Sequence, residues 1–384
     1  MRLVVTVPWG AALGGAEEML RTFLARADRD RIDPTVVFFE PGPFEREIAA
    51  LGIRTAIVPT GRLRQPHRLA AAVRALARLL RTERPDLVLN WTAKAQLYGA
   101  PAAALARMPE RVVWWQHGVP DGQWMDRLAT RLPACAVGCS SAASAEAQSA
   151  LRPRRPAFVV HPGVPLPDEP LPRRTLAGVP PGRTVVGIVG RLQPWKGQER
   201  LLEAVTELCR EGHDLHLLMV GGEAHGFSAG FERQLHSRVE ALDMEDRVTM
   251  TGQVDDVTPH LAAMDVLVNA SDHEPFGIVL LEAMAQGVPV LAVSDAGPRE
   301  IVVPGESGLL VPNSRPDVLA GALRRLVAEP ELRRRLGSGG RDRVGDRFTA
   351  EQMAHRLQST LERLAGRSQE PSAPLATPVE GVAP

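Results

Sequence analysis

Short runs of Val, Ile and Leu recur along the chain, separated by longer segments of Ala, Leu, Arg and Glu whose apolar positions have helical spacing. This alternation predicts parallel α/β sheets. In the first half, the predicted strands are residues 2–8, 35–40, 55–58, 87–90, 112–116 and 134–139. The predicted helices between them include residues 17–27, 66–83 and 142–151.

Residues 152–181 differ in character, because Pro and Arg are scattered there around one short predicted strand at 157–161. Such a segment is typical of a linker between domains. A second set of predicted strands follows at residues 184–190, 215–221, 247–251, 266–269, 289–293 and 308–311. We therefore predict an α/β protein with two Rossmann-like, doubly wound domains that face a cleft.

The expected domain limits follow from this pattern. Residues 1–165 form the N-terminal domain, and residues 166–345 form the C-terminal domain. Residues 346–367 are predicted to be a helix that returns to the first domain. Residues 368–384 are rich in Pro, Ala and Glu without apolar periodicity, which predicts a disordered tail.

Composition narrows the class of protein. A chain of 384 residues can bury a core in each of two domains. Its apolar runs are shorter than a membrane span, and its first residues are typical of a buried strand rather than a secretory signal. We therefore expect a cytoplasmic protein. The 45 basic residues balance 45 acidic ones, so no nucleic-acid partner is expected.

The three cysteines are Cys135, Cys139 and Cys209. Their number is odd and their spacing does not fit a metal site, so we expect buried free thiols. The sequence also lacks the glycine pattern of dinucleotide-binding redox enzymes and the phosphate loop of nucleotide hydrolases. These observations argue against redox and nucleotide-hydrolysis functions.

The segment HEPFGIVLLEAMAQGVPVLA, residues 273–292, follows a predicted strand and enters a helix near Gly277. Unpaired amides at a helix start favour an anion such as phosphate, and a glycine lets the backbone approach it. Glu282 lies about 6 Å along the helix from Ile278, where its carboxylate suits the two hydroxyls of a ribose. Glu274 precedes the helix and suits sugar hydroxyls. Alternatively, Glu274 caps the helix and Glu282 is a solvated residue.

This segment resembles, over its full length, the nucleotide-sugar motif of the retaining family 4 glycosyltransferases, which have the GT-B fold and are also called group 1. The segment GIVGRLQPWKGQERLLEAV, residues 187–205, is similar to the diphosphate-binding loop of the same family. The resemblance implies that Arg191 and Lys196 neutralise the departing diphosphate. Lys196 is one of only two lysines in the chain. Both cations would otherwise be surface charges.

The resemblance also implies further donor contacts. In the C-terminal domain these come from Gly190, Glu274, Pro275, Phe276, Gly277, Ile278, Val279 and Glu282. The N-terminal segment WGAALGGAEEML, residues 9–20, resembles the family's glycine-rich loop, with Gly14 and Gly15 as the contacts. A tight turn is the alternative for Gly14. His117 ends the strand in WWQHGVP and is implied to lie near the donor sugar or the acceptor, or else it is structural.

The function expected from the resemblance is retaining, metal-independent transfer of a sugar from a UDP- or GDP-sugar to a hydroxyl acceptor. The catalytic set is Arg191, Lys196, Glu274 and His117, with no metal site and no cofactor, since the NDP-sugar is a co-substrate. No protein nucleophile is assigned. The alternatives are an epimerase, hydrolase or pseudo-glycosyltransferase of the same fold that uses an NDP-sugar, or a non-catalytic protein that binds it.

The acceptor is expected to bind the N-terminal domain, where Lys94, Trp114, Trp115 and Trp124 either line a pocket or pack in the core. Neutral net charge favours a small-molecule or glycan acceptor, in natural-product or polysaccharide biosynthesis. A cluster of Arg62, Arg64 and Arg68 before a helix leaves a lipid-linked acceptor and membrane association open. The oligomeric state is also left open.

Overall fold

The computed structural model describes residues 1–11, 14–60, 65–155, 157–223 and 230–366. The chain forms two compact units. Unit 1 comprises Met1–Gly163 and the C-terminal residues from Ala350, and unit 2 comprises Val164–Thr349. Arg62, Arg64 and the predicted tail at 368–384 lie outside the described residues.

Unit 1 contains seven strands that pair in parallel in the order β3-β2-β1-β4-β5-β6-β7. Its elements up to residue 163 are β1 (Arg2–Val7), α1 (Gly15–Arg26), β2 (Asp33–Phe38), α2 (Pro43–Ala50), β3 (Arg54–Ile57), α3 (Pro66–Glu83), β4 (Leu87–Asn90), α4 (Ala93–Leu105), β5 (Val112–Gln116), α5 (Trp124–Arg131), β6 (Ala136–Cys139), α6 (Ala142–Ala150) and β7 (Ala157–Val159).

The central strands of unit 1 are buried on both faces. In β1, Leu3, Val5 and Val7 pack into one apolar layer, while Val4 packs into the layer on the other side. Successive side chains of a strand point to opposite faces, so a strand covered by helices on both sides is apolar throughout. This is why β1 could be predicted as a continuous apolar run.

Unit 2 contains six parallel strands in the order β10-β9-β8-β11-β12-β13. Its elements are β8 (Thr184–Val189), α7 (Gln198–Arg210), β9 (Leu215–Val220), α8 (Phe231–Ala241), β10 (Val248–Met250), α9 (Thr258–Leu261), β11 (Val266–Asn269), α10 (Ile278–Ala285), β12 (Val290–Val293), α11 (Pro298–Ile301), β13 (Leu309–Val311), α12 (Pro316–Ala328) and α13 (Pro330–Arg347). Here too, separate apolar layers cover the two faces of the sheet.

The last described helix, α14 (Ala350–Leu364), belongs to unit 1. Its buried face of Met353, Leu357 and Leu361 joins the same apolar layer as Phe23 of α1. An ion pair between Arg26 and Glu351 spans 2.8 Å at the edge of this contact. The predicted return of a C-terminal helix to the first domain is confirmed, and the burial of its apolar stripe is the physical reason.

The two predicted Rossmann-like sheets are confirmed, and most strand limits agree within two residues. The difference lies in the segment interpreted as a linker. Its short strand, β7, adds to the edge of the unit 1 sheet beside β6, and unit 2 begins at Val164. The segment rich in Pro and Arg therefore contains both an edge strand of the unit 1 sheet and the connection to unit 2.

The three cysteines are free. Only Cys139 is fully buried, whereas Cys135 and Cys209 are half-buried, so the expectation of burial was too strong for two of them. Burial raises the pKa of the Cys139 thiol to about 12 and that of Cys135 to about 11. No described helix is long and apolar enough to cross a membrane.

Candidate active site

The strand order of unit 2 places one functional pair at a defined point of its sheet. The order reverses between β8 and β11, and loops at the carboxyl ends of strands on either side of such a reversal form a crevice that binds ligands. Lys196 lies in the loop after β8, and Glu274 lies in the loop after β11. The topology thus brings together two residues that are 78 positions apart.

Lys196 and Glu274 form a direct ion pair. Lys196 Nζ donates to Glu274 Oε2 over 2.7 Å, and the side chains are 17% and 9% exposed. The ammonium also lies 4.2 Å from the centre of the Trp195 ring, which is a cation–π distance. Asn269 Nδ2 approaches the same carboxylate oxygen at 3.4 Å. The sequence interpretation separated these two charges, one for the diphosphate and one for the sugar, but the structure makes them contact each other.

A set of polar contacts holds the two loops together. The Asp272 amide donates to the Trp195 carbonyl over 2.8 Å. The Asp272 carboxylate also pairs with Arg200 at 2.9 Å and accepts from Ser314 Oγ over 2.9 Å. Because Asp272 and Trp195 are close neighbours of Glu274 and Lys196 in the chain, these bonds fix the ion pair from both sides. Such support reduces the reorganisation that a ligand would otherwise have to cause.

Helix α10 begins directly after this pair. Gly277 precedes it with φ of +98°, a left-handed conformation that favours glycine. The Leu280 amide in the first turn donates to the Gly277 carbonyl over 2.9 Å, and the amides of a helix start together carry a partial positive charge. Glu282 is half-buried in the second turn of α10. The helix start and Glu282 therefore lie on the same short helix, directly after the ion pair.

The other predicted donor residues of unit 2 differ in burial and in their contacts. Arg191 is half-buried, and its guanidinium makes no hydrogen bond or ion pair with other described residues. Phe276 is buried in the core, with its ring 6.2 Å from that of Phe348. Only the main chain of Phe276 could therefore contact the donor.

The side chains of Ile278 and Val279 pack partly against the same core. Gly190 and Pro275 are also partly exposed.

In unit 1, His117 lies within a cluster of aromatic rings. Its ring is 4.7 Å from Trp91, and its Nδ1 is 3.3 Å from Ser140 Oγ. Its Nε2 is buried and has no hydrogen-bond partner in the part of the chain that the structure describes. Burial lowers the pKa of His117 to about 3, although a hydrogen bond with the main chain of Trp91 opposes this shift. The imidazole is therefore neutral at physiological pH.

This burial makes stability depend on pH. An unfolded histidine has a pKa of about 6.5, so below that value the unfolded state binds a proton that the folded state excludes. The free energy of unfolding of His117→Gln, relative to that of the wild type, is therefore expected to rise by up to about 2 kcal/mol as the pH falls from 7.5 to 5. Urea unfolding of both proteins at the two pH values measures it. A difference in free energy that stays constant with pH would contradict the buried neutral ring.

The remaining predicted residues of unit 1 differ in how exposed they are. Gly14 and Gly15 are exposed at the start of α1, and a methyl group at Gly14 would have no atom within 4 Å. Trp114 and Trp115 are fully buried, so they pack in the core rather than line a pocket. Trp124 is 63% exposed on α5. Lys94 lies over the ring of Trp9.

Sequence reasoning missed three residues around the ion pair. Asn269 ends an otherwise apolar strand, and this change from apolar to polar was the available signal. Trp195 stands directly before Lys196, but nothing in the sequence indicated that its ring would stack on the ammonium. Asp272 acts through main-chain and side-chain bonds to residues distant in the chain, which no local pattern shows.

Both halves of the chain match known protein families. Residues 176–343 match the family described as Glycosyl transferases group 1, and residues 13–167 match Glycosyltransferase Family 4. The two Rossmann-like units thus have the GT-B class of fold. The chain belongs to glycosyltransferase family 4.

Individual relatives differ in how much of the chain they share. The lipopolysaccharide core biosynthesis glycosyltransferase LpsE of Rhizobium meliloti is 36% identical over 178 residues, which are 46% of this chain and 49% of that protein. The chain spans about half the length of the first such relatives. A GDP-mannose-dependent monoacylated alpha-(1-6)-phosphatidylinositol monomannoside mannosyltransferase of Corynebacterium glutamicum is 29% identical, over 94% of this chain and 97% of that protein.

Among solved structures, Alr3699/HepE of Anabaena, in complex with UDP and glucose, is similar to this chain with a TM-score of 0.83. It is 26% identical and covers 94% of this chain and 99% of its own. The same protein has also been solved with UDP-glucose. The likeness extends over nearly the whole of both chains, so it includes both units.

Proposed function

We propose that this protein transfers a sugar from an NDP-sugar to a hydroxyl group of an acceptor, with retention of the donor's anomeric configuration. The observation that carries the proposal is the buried pair of Lys196 and Glu274 at the sheet reversal of unit 2, directly before the start of α10. Its place in a family 4 sequence supports a role with the donor.

The donor diphosphate is proposed to bind against three sources of positive charge. These are the guanidinium of Arg191, the ammonium of Lys196 and the amides at the start of α10. Each becomes more favourable as negative charge grows on the departing diphosphate, so each lowers the energy of the transition state more than that of the bound donor. Glu282 takes the ribose hydroxyls, and Glu274 takes hydroxyls of the sugar.

The contact between Glu274 and Lys196 gives the carboxylate a second task. A lysine side chain has four flexible methylene groups, and ordering it costs entropy. Glu274 already holds the ammonium in place at 2.7 Å, and Trp195 restricts it from another side. We infer that Glu274 positions Lys196 for the diphosphate in addition to contacting the sugar. Positioning and electrostatics would then supply most of the rate acceleration.

No side chain is assigned as a covalent nucleophile. In this proposal an oxygen of the departing diphosphate accepts the proton of the acceptor hydroxyl while that hydroxyl attacks the same face of the sugar. The bond from the sugar to the diphosphate breaks, and the bond from the sugar to the acceptor oxygen forms. The products are NDP, which retains the transferred proton, and a glycoside.

The donor is proposed to be a UDP- or GDP-sugar. One similar protein is named as GDP-mannose-dependent, and another was solved with UDP and glucose. The test is to measure thermal stabilisation by a series of UDP- and GDP-sugars, then to offer acceptors with the best donor and determine the product's anomeric configuration by NMR. Inversion would refute retention. Release of free NDP at the same rate with and without acceptors would instead indicate a hydrolase.

Chelation tests the proposed independence from metal ions. Because the cationic side chains and the helix start supply the charge for the diphosphate, we expect EDTA to leave the transfer rate unchanged within about twofold. The measurement is NDP release in the presence of acceptor, before and after dialysis against EDTA. A loss of activity that magnesium or manganese restores would show that a divalent cation carries this role instead.

A further inference from the structure

The second of the chain's two lysines, Lys94, lies beside the strand-order reversal of unit 1, as Lys196 lies beside that of unit 2. The strand order of unit 1 reverses between β1 and β4. Trp9 lies just after β1, and Lys94 lies in the first turn of α4, just after β4. Both residues are therefore at the carboxyl ends of the two strands that flank the reversal, where open parallel sheets bind ligands.

Lys94 has an aromatic neighbour but no hydrogen-bond acceptor in the part of the chain that the structure describes. Its Nζ lies 5.3 Å from the centre of the Trp9 ring. Its ammonium makes no hydrogen bond or ion pair with any described residue, in contrast to Lys196, which is paired with Glu274. The side chain is half-buried, and this burial lowers the pKa of Lys94, while the charge of exposed Glu40 partly opposes the shift. The site thus holds a partly desolvated cation whose three N–H donors have no acceptor among the described residues.

The backbone under both side chains is fixed. Gly10, beside Trp9, crosses Gly42 so closely that a methyl group on Gly42 would lie 2.1 Å from the Gly10 oxygen. The Phe44 amide also donates to that oxygen over 2.8 Å. These contacts hold the loop after β1 against the loop after β2. The main chain next to Trp9 is therefore held in place by these contacts.

Helix α4, which carries Lys94, is held equally firmly. Thr92 caps its start by accepting from the Ala95 amide over 3.1 Å. Buried Asn90 accepts from Thr6 Oγ1 over 2.7 Å and donates to Gln96 over 2.8 Å. This polar chain ties α4 to β1 and β4, the two strands at the reversal. The cation and the ring are thus preorganised rather than brought together by chance on a flexible surface.

We propose that Lys94 and Trp9 form an anion-binding subsite in unit 1, and that the acceptor of the transferred sugar carries a phosphate or carboxylate group which this subsite binds. The inference rests on the proposed function, because it assigns a chemical class to the acceptor. A lysine ammonium binds phosphate or carboxylate as a point charge, and the indole face suits the adjoining ring or chain of the acceptor.

The test uses the fact that the chain has only two lysines. Reductive methylation with ¹³C-formaldehyde labels Lys94, Lys196 and the N-terminus, and the spectrum of Lys94→Arg assigns the signals. With UDP present at saturation to occupy the donor site, the labelled protein is titrated with glucose 6-phosphate, glucuronate and uncharged glucose. We expect at least one anionic probe to shift the Lys94 signal and to bind at least about tenfold more tightly than glucose.

Affinities of unlabelled variants complete the test. We expect Lys94→Gln to weaken binding of the anionic probe by about tenfold or more, and Lys94→Arg to retain most of it. Arg131→Gln, which removes an exposed charge of the same unit, is the matched control and should bind like the wild type. If no anionic probe binds, or if Lys94→Gln binds it as tightly as the wild type, the subsite is refuted.

Two further readouts separate this inference from the proposed function and define the source of the anion. UDP binding, followed at the Lys196 signal, tests the donor site alone, so its failure would refute the proposed function independently of Lys94. Binding to phosphatidylglycerol vesicles, compared with phosphatidylcholine vesicles, is measured for the wild type and Lys94→Gln. Lys94-dependent binding to the former would support the subsite and assign its anion to a lipid headgroup rather than to a soluble acceptor.

Discussion

Replacing Lys196 by methionine is expected to lower kcat/KM for sugar transfer by about 100- to 1,000-fold. The ammonium is 2.7 Å from Glu274 Oε2, and its loss removes a charge proposed to act on the departing diphosphate. Steady-state kinetics with the best donor and acceptor measure this effect. A variant within about threefold of the wild-type rate would refute the proposed role of Lys196.

The same change also tests the protein's stability, because it leaves the largely buried carboxylate of Glu274 without its cation. We expect a loss of up to about 3 kcal/mol, reduced by the remaining contact with Asn269. Removing the charge of the carboxylate as well, in Lys196→Met with Glu274→Gln, should recover most of this stability. The double variant should nevertheless stay inactive. Recovery of both properties together would show that the pair is structural rather than catalytic.

Replacing Glu282 by alanine is expected to raise KM for the NDP-sugar, and Kd for the free nucleotide, by about 10- to 100-fold. This corresponds to the loss of charge-assisted hydrogen bonds to two ribose hydroxyls. Calorimetric titration with UDP and GDP measures the affinity directly. Since the ribose is remote from the reacting bond, kcat at saturating donor should fall much less than kcat/KM.

Two comparisons make the Glu282 result specific. Glu282→Gln keeps the shape of the side chain and one acceptor oxygen, so it should lie between alanine and the wild type. Gln286→Ala, one turn further along the chain at the end of α10, should bind nucleotide normally, because its side chain accepts a bond from the Leu171 amide at the surface. Equal losses of affinity in Gln286→Ala and Glu282→Ala would point to damage of the helix rather than to a ribose contact.

Much of the fold could be predicted because buried parallel strands leave a strong local pattern. β4, β5 and β11 were predicted at their observed limits, since each is a compact apolar run bounded by polar or glycine-rich sequence. The short edge strand β7 was assigned to a linker, because three residues at the edge of a sheet carry too little pattern. The burial of Trp114 and Trp115 was left undecided for a related reason, since a tryptophan suits both a core and a binding pocket.

The sequence by itself determined two parallel α/β sheets, the glycine before α10, and the identities of Lys196, Glu274 and Glu282. These features depend on local spacing and on motifs that resemble family 4. Only the tertiary structure decided that Lys196 and Glu274 contact each other and that Asn269 and Trp195 lie beside them. It also decided that Lys94 lies over Trp9 with no acceptor among the described residues. The physical reason is strand order. The reversals between β8 and β11 and between β1 and β4 bring distant loops together, and no local sequence pattern encodes which strands become neighbours.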